Sequence, residues 1–210
     1  MKEKYDNIDE YIADLKAEIA QNEQCANHHY NLGVALLSKR DFVAAEESFL
    51  EAARNSPHLA EAYVQLGGIC LHRGDLQGCL RYNEEAANCR AKFPVPQANI
   101  GFVYLQLGKP EKALDHLRKA EKWDPQFLQA KNGIATALFM LEKNKECEEK
   151  CLEMIKIEPN FAPAWNNLAL AYFDQKEYKK AIEACDKAAE LGFKPDQGFL
   201  DELAPYRDQA

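Results

Sequence analysis

The sequence predicts an all-α chain of five consecutive helix-turn-helix units, with one further helix at each end. Three observations carry that prediction. Ala, Leu, Glu, Lys and Gln are frequent while Val, Ile and Thr are sparse, so strong helix formers dominate. The same residue types return every 34 residues from Ala26 to Pro195, with no insertion or deletion. Within each copy, apolar and small residues fall on two helically spaced stretches separated by turn residues.

Taken in order, residues 1–25 come first. Ile8, Ile12, Leu15 and Ile19 lie at helical spacing there. Seven acids (Glu3, Asp6, Asp9, Glu10, Asp14, Glu18, Glu23) stand against Lys2, Lys4 and Lys16, which accounts for half of the net charge of −8. The segment predicts an amphipathic helix packed on the first unit. The units themselves occupy 26–59, 60–93, 94–127, 128–161 and 162–195. Their seventh positions are Leu32, Leu66, Ile100, Ile134 and Leu168, and their eighth are Gly33, Gly67, Gly101, Ala135 and Ala169. The twentieth positions are Ala45, Cys79, Ala113, Cys147 and Ala181, and the twenty-seventh are Ala52, Ala86, Ala120, Met154 and Ala188. Small residues at positions 8 and 20 let paired helices approach closely. Arg40-Asp41, Gly74-Asp75 and Gly108-Lys109-Pro110 mark the turns, and Pro57, Pro125 and Pro159 stop the second helices. In residues 196–210, Phe199, Leu203 and Tyr206 predict a capping helix, set off by Gly192 and Pro195.

The pattern resembles the tetratricopeptide repeat (TPR) family. Trp165, Leu168, Ala169, Tyr172, Ala181 and Ala188 match its signature, as do Tyr63, Leu66, Gly67, Gly74 and Ala86. The departures are Asn83 and Cys185 in a slot for a large apolar residue, Gln97 and Lys131 for the aromatic at position 4, and Ala91 and Phe193 for the terminal proline. They predict looser packing in the second to fourth units. The resemblance implies a right-handed superhelical solenoid whose first helices line a concave groove, with positions 2, 5, 6, 9, 12 and 13 facing the groove or its rim.

Those positions nominate a peptide-binding groove. Position 12 is Leu37, Leu71, Leu105, Phe139 and Phe173, and position 9 includes Val34, Phe102 and Leu170. Asn31, Gln65, Asn99 and Asn167 stand at position 6, with Gly133 interrupting them and Asn132 beside the gap; Asn166 stands at position 5. A carboxamide donates and accepts at once, so a ladder of such groups suits an extended backbone. The competing reading gives these amides to neighbouring helices, and the apolar column to packing between first helices. Another family mode clamps a C-terminal carboxylate with cations, but Tyr30, Val95 and Asn99 occupy their places.

Composition narrows the function further. The acidic balance argues against nucleic acid, whose phosphates demand a basic face. No apolar run reaches membrane-spanning length, so no membrane insertion is expected. Seven cysteines without a CxxC pair predict a reducing, cytoplasmic setting. Cys147 and Cys151 have spacing that could share a metal, yet they fall in core slots, where cysteine packs as a small hydrophobe. No catalytic residue, cofactor or metal is nominated. The expectation is a non-enzymatic adaptor that binds another protein or extended peptide. The alternatives are a self-assembling, homo-oligomeric scaffold, or an accessory subunit of a larger enzyme or a secretion or assembly complex.

Overall fold

The computed structural model describes residues 7–207. The parts of the expected terminal helices at 1–6 and 208–210 lie outside the described residues. Among the described residues there are twelve α-helices and no strand: α1 (Ile8–Gln21), α2 (Ala26–Ser38), α3 (Phe42–Asn55), α4 (Ala60–His72), α5 (Leu76–Cys89), α6 (Pro94–Gln106), α7 (Pro110–Trp123), α8 (Leu128–Met140), α9 (Asn144–Ile157), α10 (Ala162–Asp174), α11 (Tyr178–Glu190) and α12 (Gln197–Arg207). The chain divides into two compact units, one up to Ile100 and one from Gly101 onwards, each considered by itself.

Each hairpin turn is made the same way. The residue at position 15 has a left-handed φ in all five copies: Arg40 61°, Gly74 80°, Gly108 65°, Glu142 58° and Lys176 62°. Its N–H donates to the carbonyl of position 12, as from Glu142 to Phe139 (2.9 Å). The next N–H donates to the carbonyl of position 11, as from Lys143 to Leu138 (2.9 Å). This paired closure satisfies carbonyls that the helix end would otherwise leave open. Second helices in the first unit start on Asp41 and Asp75, whose carboxylates accept from Ala44 N and Gly78 N.

The first unit builds its core from Ile12, Leu15, Leu32, Leu36, Phe49, Leu66 and Ile69. Helix α1 has the length of the second helices α3 and α5 and the same four-residue linker to the helix that follows. It packs on α2 as α3 packs on α4, so it behaves as a second helix. In the second unit, Leu117, Ile134, Met154, Leu168 and Leu203 are almost completely buried. Enclosing one such side chain stabilises the fold by roughly 2 kcal/mol.

Helix pairs are fitted by size at positions 8 and 24. A methyl group on Gly33 would lie 2.7 Å from the Phe49 ring, on Gly67 2.3 Å from Asn83 Nδ2, and on Gly101 2.5 Å from Leu117 Cγ. The last two hairpins carry Ala135 and Ala169 instead, opposite the smaller Cys151 and Cys185. Cys185 in a slot for a large residue is thus matched by alanine where other hairpins have glycine. Lys131 also does not loosen the fold. Its side chain is only 3% exposed and donates to Glu121 (2.8 Å) and Glu153 (2.5 Å), both of which also receive Lys150.

Candidate interaction surface

The candidate residues stand on the first helices of the hairpins, and each unit arranges its share differently. In the first unit, Asn31 on α2 is exposed and Gln65 on α4 is half-buried. Neither side chain has a hydrogen-bond partner among the described residues. Val34, one turn from Asn31, is 39% exposed, and Leu71 is half-buried. Asn99 differs. Its Nδ2 donates to Oδ1 of the fully buried Asn83 (2.8 Å), and Asn83 Nδ2 donates in turn to the Cys79 carbonyl (2.8 Å). One face of the Asn99 amide therefore links α6 to α5 and holds the polar Asn83 in the core.

In the second unit, Phe102 is 44% exposed while Leu105 is buried. Asn167 is buried, and its Nδ2 donates to Asn132 Oδ1 (3.0 Å) and Thr136 Oγ1 (3.2 Å), tying α10 to α8. Asn166, Phe139 and Leu170 are half-buried. Phe173 is packed by aromatic rings of its own unit: Tyr178 and Phe199 at 5.5 Å and Tyr206 at 6.1 Å. Helix α12 thus lies against the end of this first-helix column. Arg207 fixes it to α11 through both oxygens of Asp186 (3.0 and 2.6 Å).

Sequence reasoning placed the amides in register and weighed their bonding to neighbouring helices, but it did not single out Asn83 or Thr136 as the partners. A signal was present: Asn83 in a core slot calls for a second polar group, and Asn99 lies near it on the next first helix.

Elsewhere, all seven cysteines are free, and Cys70, Cys79, Cys147, Cys151 and Cys185 are buried. Burial pushes the Cys79 thiol up to about 11. Among the described residues no group of three or more His, Cys, Asp or Glu side chains is placed to hold a metal ion. No described helix is long and apolar enough to cross a membrane.

Tetratricopeptide repeat models match residues 9–60, 97–127 and 162–191, and the first of these takes in most of α1. The chain belongs to the tetratricopeptide repeat family. Two curated relatives match parts of it. Protein CTR9 homolog of Arabidopsis thaliana is 34% identical over 113 residues, 52% of this chain and 10% of that protein. BBSome complex member BBS4 of Bos taurus is 30% identical over 96 residues, 46% of this chain and 18% of that protein. The chain therefore spans only a small part of either relative.

Among solved TPR-fold structures, YrrB, described as a TPR protein with an unusual peptide-binding site, superposes with a TM-score of 0.69 at 20% identity, covering 93% of this chain and 98% of that one. The APC/C hetero-tetramer Cut9-Hcn1 gives 0.78 at 15% identity, covering 93% and 39%. At these identities the likeness is one of fold. The TPR fold is a scaffold for protein–protein interaction.

Proposed function

We propose that this TPR chain is a non-enzymatic adaptor that binds an extended segment of another polypeptide along the first-helix face of its first unit. The observation that carries this is the state of Asn31 and Gln65. They occupy the same register on α2 and α4, and neither amide is engaged by another described residue. Each can donate to a peptide carbonyl and accept from a peptide N–H. Val34 and Leu71 lie alongside and suit uncharged or apolar side chains of the bound segment. Asn99 keeps its Oδ1 for the same purpose, since only its Nδ2 is engaged. The second unit contributes less in this reading, because Asn167 and Asn132 bond each other and Phe173 is packed under α12.

The test is affinity capture with quantitative mass spectrometry on wild type and the Asn31→Ala/Gln65→Ala variant. Both substituted residues are polar and at most half-buried, so the thermal melt should stay within a degree or two. At least one protein held by wild type should fall about tenfold or more on the variant. If every captured protein stays bound at the wild-type level, the groove assignment is wrong.

A further inference from the structure

Within the first-helix groove of the first unit, and resting on that reading, we propose that Gly68 is a specificity notch: the bound segment is uncharged and seats one large apolar side chain on the bare backbone of α4. Glycine is the poorest helix former after proline, so a glycine inside a helix calls for a compensating reason. Gly33, Gly67, Gly78, Gly101, Gly133 and Gly198 each have one, since a methyl group added there would come within 3.0 Å of a neighbouring side chain. Gly68 does not. A methyl group on it would meet nothing within 4 Å, and its φ is not in the left-handed region. Neither packing nor backbone conformation within the first unit asks for glycine at this point. The remaining use of a missing side chain is to let another molecule come close to the backbone.

Its place fits that use. Gly68 holds position 9 of the second hairpin, where the other hairpins have Val34, Phe102, Thr136 and Leu170. Residues three and four away on a helix stand beside one another. For Gly68 these are Val64 and Leu71, both half-buried, Gln65, whose amide no described residue engages, and His72, stacked on the Phe42 ring at 4.0 Å. The result is a gap one side chain wide, walled by two aliphatic groups, with a carboxamide at its edge. Val34, in the same register on α2, is 39% exposed and extends the apolar character of this face.

Charge selects the occupant. At positions 2, 5, 6, 9, 12 and 13 of α2 and α4 the one acidic residue is Glu61, and there is no Lys or Arg. Arg90 already takes the Glu61 carboxylate at 2.8 Å. A charged side chain brought to the notch would lose water without meeting a counter-charge. A large apolar one covers Val64 and Leu71, whereas a small one leaves the notch unfilled and forfeits those contacts. Asn31 and Gln65 are left to hold the peptide groups of the segment.

The probe is a library of random 12-residue peptides displayed on phage. It is selected on the full chain and counter-selected against Asn31→Ala/Gln65→Ala, so that only peptides dependent on the two amides remain. These are synthesised with a fluorescent label and titrated by anisotropy. They should be uncharged at their centre and share one large apolar residue there. Gly68→Leu fills the notch with a good helix former; it should melt no lower than wild type and bind the peptides about tenfold or more weakly. Replacing the shared apolar residue by Ala should weaken binding by a similar factor on wild type but by about twofold at most on Gly68→Leu, as expected of two groups in contact. Gly68→Ala should raise the melting midpoint by about 2–4 °C, because nothing in the fold depends on glycine there. Peptides that bind Gly68→Leu as tightly as wild type, a shared acidic or basic residue in place of the apolar one, or a lower melting midpoint for Gly68→Ala would each overturn the notch and leave the groove standing. A selection that returns no amide-dependent peptide would overturn the groove, and the notch with it.

Discussion

The fourth and fifth hairpins, α8–α9 and α10–α11, close their turns with the same backbone hydrogen bonds and a left-handed residue at the same position, yet they fill the same slot in opposite ways. At position 4 the fifth has Trp165, whose ring packs beside Leu168 and Tyr172 while its N–H reaches the Pro159 carbonyl. The fourth has Lys131, enclosed almost completely, with Glu121 of α7 and Glu153 of α9 supplying the counter-charge. An aromatic slot can therefore carry a cation if neighbouring second helices bring carboxylates to it. The difference spreads outward. The charged slot brings Lys150 along to line a cleft of about 270 Å³ between α7 and α9, whereas the aromatic slot, with small Ala184 opposite, lines a larger one of about 460 Å³ between α9 and α11.

The most forceful way to break the comparison is to remove one carboxylate. Glu121→Ala leaves Lys131 and Lys150 sharing Glu153, and an enclosed charge without its full partner set is strongly destabilising. We expect a loss of about 2 kcal/mol in urea unfolding, below the usual figure for a buried pair because the rim of the cluster is wet. Acid should mimic the deletion. Burial alone would raise the pKa of Glu121, but hydrogen bonds from Lys131 and Lys150 outweigh it and hold the carboxyl below its ordinary 4.5. Glu153 is lowered for the same reasons. A depressed folded pKa gives stability that is fully present above the unfolded value and lost as pH falls through the folded one. The gap in stability between wild type and Glu121→Ala should thus be constant above about pH 5.5 and shrink below the ordinary 4.5. A gap that does not change with pH would show that the cluster is held by packing and not by charge.

A subtler experiment makes the fourth hairpin resemble the fifth. Lys131→Trp with Lys150→Ala removes both cations and restores the ring and small-residue pair. Replacing a buried ion cluster with well-packed apolar groups is often neutral or stabilising, so the change should lie within about 1 kcal/mol of wild type when Glu121→Gln and Glu153→Gln accompany it. A fall of several kcal/mol would mean that the two hairpins differ in backbone fit as well as in chemistry.

Much of this was legible in the sequence, and the remainder was not for a physical reason. The 34-residue period placed the ten hairpin helices, because the small residues at positions 8 and 20 and the turn at position 15 are set by local geometry; the two terminal helices were read from their own apolar spacing. The register of the candidate surface was equally legible: Asn31, Gln65, Asn99 and Asn167 all stand on first helices. Hydrogen-bond partners were not, because a carboxamide can turn either outward or toward the next helix. The choice depends on what the neighbour offers: Asn83 receives Asn99, and Asn132 with Thr136 receives Asn167, whereas Asn31 has no such neighbour. The burial of Lys131 depended likewise on two carboxylates from two other helices.

The smallest expected effect concerns what the fourth and fifth hairpins have in common. Both turns place a non-glycine residue in the left-handed region, Glu142 at φ 58° and Lys176 at φ 62°, where the second hairpin has Gly74 at 80°. A side chain there crowds the adjoining backbone, and glycine relieves the strain while making the unfolded chain more flexible. The hydrogen bonds that close the turn come from the backbone alone, so they survive the substitution. Glu142→Gly and Lys176→Gly should each stabilise by about 0.5 kcal/mol, and the two gains should add, since the substituted residues lie on separate turns. Gly74→Ala should lose about 1 kcal/mol by the same reasoning run in reverse. Differential scanning calorimetry on all three variants checks the signs together. Equal gains at Glu142 and Lys176 would show that the two hairpins, however different at position 4, close their turns on the same energetic footing; unequal gains would trace the effect of Lys131 as far as the turn.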